Sequence, residues 1–131
     1  MQVVVVGVIL SQGGETRTSY YNDDSENQVR EVYHIDTLAN VLLGEYMSFY
    51  MNGKVEKKGN YEEGLPEGKW EYYYENGKLK MEGILEAGEP NGYWIYYYET
   101  GDKKMEGNMV GNRREGDWLI YYQNGAVKRQ G

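Results

Sequence analysis

The stretch Trp70-Glu-Tyr-Tyr-Tyr-Glu-Asn-Gly-Lys-Leu-Lys-Met-Glu-Gly83 decides how this chain is read. Two strand-like runs flank Asn76-Gly77, the pair best suited to a two-residue type I′ turn, because both central positions of that turn need positive φ. Such a turn fixes the pairing: Glu75 opposite Lys78, Tyr74 opposite Leu79, Tyr73 opposite Lys80, Tyr72 opposite Met81 and Trp70 opposite Gly83. The spacing therefore predicts a β-hairpin in which an indole meets a glycine in mid-strand. A ring laid over the missing side chain covers backbone and gains a packing floor, which offsets the weakness a strand glycine introduces.

Working outward, the same unit recurs every 24 residues. Trp70, Trp94 and Trp118 are in register, with Tyr46 in the preceding slot. Three glycine columns share the period: Gly53, Gly77, Gly101 and Gly125; Gly59, Gly83, Gly107 and Gly131; and Gly44, Gly68, Gly92 and Gly116. The predicted ring-on-glycine pairs are Tyr46 with Gly59, Trp70 with Gly83, Trp94 with Gly107 and Trp118 with Gly131. A lone hairpin is marginal in water, so successive hairpins must join edge to edge. The expected fold is all-β: an elongated single-layer antiparallel meander of stacked hairpins, with repeats at 44–67, 68–91, 92–115 and 116–131. Residues 1–43 read as N-terminal strands and a degenerate capping repeat, because terminal repeats of an array are often atypical.

Alternation along the strands gives each hairpin two faces. One carries Trp70, Tyr72, Tyr74, Leu79, Met81 and Leu85, with Trp94, Tyr96, Tyr98, Met105 and Met109, and then Trp118, Ile120, Tyr122 and Val127, in the following copies; it is core-like. The other carries Phe49, Tyr73, Tyr97 and Tyr121, with Lys80, Lys104 and Lys128 expected across from the last three. A single-layer sheet cannot bury both faces, so this tyrosine and lysine stripe is the candidate interaction surface. Two readings of it stand side by side: a docking site, with a protein preferred to a carbohydrate, or side chains that merely cover each other.

Composition narrows the classes. The 131 residues contain no cysteine and one histidine, which excludes thiolate zinc sites, disulfides, cysteine nucleophiles and histidine metal clusters. Net charge is −7, with seven acids and two bases in residues 1–45 and fourteen and twelve in the remainder. Neither part has the clustered positive charge that nucleic acid or an anionic bilayer requires. No apolar run approaches the roughly 20 residues of a membrane-spanning helix. The one apolar stretch, Val3–Leu10, reads as a β-branched strand in preference to a signal-peptide h-region, since Met1-Gln2 supplies no basic n-region. Localisation stays open, cytoplasmic being slightly favoured over export.

The blocks Gly68–Gly83, Gly92–Gly101 and Gly116–Gly125 resemble bacterial MORN-type repeats, and more narrowly the variant found in proteins named as antitoxins of toxin–antitoxin systems. The similarity spans residues 44–131 well and 15–43 loosely. It implies an elongated sheet of hairpins and no catalytic motif. Tyr46 in the tryptophan slot, and Gly111 displaced by one from the column of Gly64 and Gly88, depart from the pattern.

No enzyme chemistry emerges from the residues. There is no Gly-x-Ser-x-Gly, His34 lies in an alternating strand where a structural role is expected, and Glu62, Glu63 and Glu67 read as solvated charge near a turn. The oxygen-rich Asn22–Asn27 lacks the glycine and terminal glutamate of a calcium loop and reads as a polar turn. The expectation is a non-enzymatic scaffold without cofactor or metal that binds a protein, a toxin being one candidate, and that can self-associate through a free sheet edge. The alternative is an exported or envelope module recognising glycan or lipid.

Overall fold

A computed structural model describes residues 3–10, 14–22 and 25–130. They form one twelve-stranded antiparallel sheet without a helix. In chain order the strands are β1 (Val3–Leu10), β2 (Gly14–Asn22), β3 (Ser25–Asp36), β4 (Val41–Phe49), β5 (Val55–Glu62), β6 (Leu65–Tyr73), β7 (Leu79–Glu86), β8 (Glu89–Pro90), β9 (Gly92–Tyr97), β10 (Lys103–Val110), β11 (Arg113–Tyr121) and β12 (Val127–Gln130). Each pairs with its sequence neighbour, except that β9 pairs with β7 past the two-residue β8. The single-layer meander is as the repeat predicts, and Val3–Leu10 is a strand. The Asn22–Asn27 turn and the Trp118–Gly131 pair fall partly or wholly outside the described residues.

The turns within hairpins are not the expected two-residue type I′ kind. In all four copies the amide of the turn glycine donates to the carbonyl three residues earlier: Gly53 to Tyr50, Gly77 to Tyr74, Gly101 to Tyr98 and Gly125 to Tyr122, each at 2.9 Å. Positive φ occurs at Gly77 (88°) and not at Asn76. This is the three-residue loop in which a glycine in the left-handed region creates a bulge. Asn76 serves through its side chain instead, its Oδ1 accepting the Lys78 amide at 2.8 Å. The pairing consequently slips near the turn: Trp70–Gly83 and Tyr72–Met81 hold, but Tyr73 opposes Leu79, leaving Lys80 as the extra residue.

True two-residue turns join the repeats instead. Glu63-Gly64, Ala87-Gly88 and Gly111-Asn112 have positive φ at both positions, between 49° and 86°, as type I′ demands. That requirement accommodates the displaced Gly111: glycine takes the first central position and Asn112, the side chain that best tolerates this region, takes the second.

The third glycine column builds the crossing between repeats. Lys58 opposes Glu71 and Asn60 opposes Glu67, so Gly59 alone faces Gly68, Lys69 and Trp70, with Gly68 at φ +77°. This three-against-one bulge tips the indole over the strand that precedes it. A Cβ added to Gly59 would lie 2.2 Å from the Trp70 ring; the same holds for Gly83 under Trp94 (2.0 Å) and Gly107 under Trp118 (2.5 Å). The expected floor contact thus exists with the other neighbouring glycine. Trp94 is in register with Gly107 yet rests on Gly83. Each indole N–H donates to the carbonyl of the residue after its floor glycine: Trp70 to Asn60, Trp94 to Ile84 and Trp118 to Asn108, at 3.0–3.1 Å.

Rings and sulfurs complete the cover. Tyr61 meets Trp70 edge-on at 5.3 Å between centroids, and Leu85 and Met109 occupy its slot in later copies. The three indoles are only 2–3% exposed. A single layer of sheet therefore buries its own core by folding each large ring down onto missing side chains.

Candidate functional site

The predicted stripe divides in two. Tyr73, Tyr97 and Tyr121 are half-buried, and Tyr73 and Tyr121 pair with acids. Tyr73 donates to Glu71, while Tyr93 and Tyr121 both donate to Glu106, at 2.6 and 2.9 Å. Lys103 adds an ion pair to Glu106 at 3.0 Å. Burial alone would raise the Glu106 carboxyl, but hydrogen bonds from Tyr93, Lys103 and Tyr121 outweigh it and hold the group below its usual range. Hydrogen bonding to Glu106, with some burial, pushes the Tyr93 phenol up to about 12. Burial, then the bond to Glu71, raises Tyr73, and burial with the Glu82 charge raises Tyr97. For Tyr121 the bond to Glu106 is the main cause of a raised value.

The lysines take another course. In every hairpin the residue three beyond the turn glycine is the extra one in its pairing: Glu56, Lys80, Lys104 and Lys128. A bulge re-aims the side chain it carries. Lys80, Lys104 and Lys128 accordingly do not sit across from Tyr73, Tyr97 and Tyr121, but bring their ammonium groups over the rings of Tyr74, Tyr98 and Tyr122 at 5.7, 5.8 and 5.5 Å. Among the described residues no carboxylate pairs with these three ammonium groups. Lys58, Lys69 and Lys103, by contrast, are all in ion pairs.

Two of the three rings under the lysines, and Tyr50 before them, are anchored to the next repeat. Tyr50, Tyr74 and Tyr98 donate their hydroxyls to the carbonyls of Tyr73, Tyr97 and Tyr121, each one repeat further on, at 2.5–2.8 Å. Beside them the turn side chains bridge repeats in the same way. Asn52 Nδ2 donates to the Glu75 carbonyl and Asn76 Nδ2 to that of Glu99, both at 2.9 Å, while Lys54 and Lys78 donate to the Asn76 and Thr100 carbonyls. Alternation arguments place Tyr74, Tyr98 and Tyr122 on the core-like face and miss their partnership with the lysines; the 24-residue column that contains both was the available signal.

At the ladder's first position Glu56 stands near Tyr50 and accepts a hydrogen bond from Ser48 at 3.0 Å. A shallow hollow of about 250 Å³ opens among Tyr50, Glu56, Lys57 and Lys80. Elsewhere, His34 is engaged with Thr16 at 2.7 Å, Glu67 accepts the Ala87 amide at 2.7 Å, and no group of metal ligands forms among the described residues.

The family described as MORN repeat variant matches residues 42–63, 66–85, 90–110 and 114–131. No curated protein matches the chain. The matched segments cover more than half of the sequence and coincide with the stacked hairpins that carry the lysine and tyrosine ladder, so the chain belongs to the MORN repeat variant family.

Proposed function

We propose that this protein is a non-enzymatic repeat scaffold that docks a partner protein on the ladder formed by Lys80, Lys104 and Lys128 with Tyr74, Tyr98 and Tyr122. MORN repeats are in general protein- or membrane-binding modules. One observation carries the reading: three successive repeats present an exposed lysine at the same bulge, without a carboxylate partner among the described residues. In a chain of net charge −7, such a row is a local concentration of positive charge. The half-buried Tyr73, Tyr97 and Tyr121 act beneath this surface as supports.

The resemblance to antitoxin variants makes a toxin one candidate partner. Cross-linking and affinity recovery from source extract should return a stoichiometric protein with the wild-type chain and lose it with the triple variant K80E/K104E/K128E. Recovery of the same protein by both, or of none, contradicts the reading. Glycan recognition by an exported or envelope module is less well supported, because the widest rings, the indoles, are covered.

A further inference from the structure

We propose that the ladder's occupant is an acidic polyproline II segment of a partner protein with a carboxylate at every third residue. This rests on the scaffold reading above and adds the chemistry of the partner.

Equivalent residues of adjacent repeats are separated by two strands, about 9.6 Å at about 4.8 Å per strand. A polyproline II helix rises about 3.1 Å per residue with three residues per turn, so every third side chain returns to the same face after about 9.3 Å. The mismatch across Lys80, Lys104 and Lys128 is then under about 1 Å. An extended β-strand covers a similar distance in three residues but turns the third to the opposite face. An α-helix returns to its starting face every seven residues, about 10.5 Å, and runs out of step by about 2 Å over the same three lysines.

The surface also suits that conformation chemically. Polyproline II segments dock on rows of aromatic rings and have little ordering entropy to lose. Tyr50, Tyr74, Tyr98 and Tyr122 form such a row, the first three half-buried and pinned through their hydroxyls, and Tyr122 51% exposed. Interior strands of the sheet already have their backbone groups paired, which leaves recognition there to side chains. Glu56 reverses the charge at the first rung, so the matching segment carries one basic residue followed, at the same spacing, by three acidic ones.

Fluorescence anisotropy with labelled, end-capped peptides tests this on the full chain. A proline-rich peptide with one lysine and then three glutamates at every third position is expected to bind at least about tenfold more tightly than a peptide of the same composition with glutamates at every second position. It should also exceed an alanine-rich helical peptide with glutamates at every seventh. K104E, checked for an unchanged melting curve, should lose about tenfold, and a peptide with lysine in place of the central glutamate should recover that loss. Equal binding of the peptides, preference for the helical one, failure of the charge swap, or association only with vesicles of phosphatidylcholine and phosphatidylserine at about four to one would overturn the proposal. If extract yields a partner that K80E/K104E/K128E loses while the every-third peptide fails, the docking role stands and this inference falls. If neither binds, both fall.

Discussion

The first MORN unit and the three that follow it solve the same packing problem differently. Trp70, Trp94 and Trp118 lie over glycines and donate to a backbone carbonyl. Tyr46 occupies the same slot, but a four-residue connection between β3 and β4 shifts the pairing by two, and the residue standing where the floor glycine lies in later units is Tyr33. With a ring in that place, Tyr46 donates its hydroxyl to Glu31 at 2.6 Å and not to a backbone carbonyl. Indole and glycine therefore belong together as one device. Where the glycine is absent the indole is absent as well, and a smaller ring with a polar tip takes over.

The largest expected effect breaks the device outright. Trp94→Ala, in the middle of the array, should cost about 3–5 kcal/mol, as truncation of a buried large aromatic does; chemical denaturation measures it, and a loss near zero would mean the ring carries no packing. Gly83→Val should cost about 3 kcal/mol by the opposite route, since its Cβ would lie 2.0 Å from the Trp94 ring and force that ring off its floor.

A subtler pair converts the first unit into a copy of the others. Tyr46→Trp alone, with Tyr33 in place, and Tyr33→Gly alone should each destabilise by about 1–2 kcal/mol. Combined, they should recover at least half of the summed loss, seen as a rise in the denaturation midpoint. Strict additivity would separate ring from glycine.

The turns provide a smaller contrast. Asn76 satisfies the Lys78 amide and bridges to the Glu99 carbonyl, whereas Thr100, one repeat later, receives the Asp102 amide at 3.4 Å and has no amide group to donate onward. Asn76→Ala should cost about 1 kcal/mol, and Thr100→Asn should gain several tenths of that by restoring the bridge. Melting temperatures of the two variants should move in opposite directions.

Titration separates the units least. The Tyr46 phenol is raised by burial, then by its bond to Glu31, and Tyr93 by its bond to Glu106. A phenol whose folded value lies above its unfolded value of about 10 contributes stability that is complete below that pH and is lost as pH rises toward the folded value. Thermal stability should therefore hold to about pH 10 and decline toward about pH 12. Tyr46→Phe should flatten part of that decline. A decline unchanged by both Tyr46→Phe and Tyr93→Phe would contradict the assignment.

Most of the architecture was legible because period and turn signals are properties of sequence alone. The 24-residue recurrence gave the hairpins, their order and the partnership of tryptophan with glycine. What escaped depends on where extra residues enter the ladder. Asn76-Gly77 suits both a two-residue turn and a three-residue loop with a bulge, and the choice moves Lys80 from Tyr73 to Tyr74. Likewise, Trp94 is flanked by glycines on both neighbouring strands, Gly83 and Gly107, and only the bulge at Gly92 selects between them. The lysine and tyrosine content of the candidate surface was readable in advance, but the pairing within it was not, because bulges break the two-residue alternation on which face assignments rest.

The most direct measurement is a pair of double-mutant cycles on Trp94. The ring rests on Gly83, so Trp94→Ala with Gly83→Val should fall short of additivity by about 1–2 kcal/mol, since removing the ring frees the space the valine needs. Trp94→Ala with Gly107→Val should couple more weakly, because Gly107, although directly opposite Trp94, has the Trp118 ring closest to its missing side chain. Coupling to Gly107 that equals or exceeds coupling to Gly83 would contradict the account.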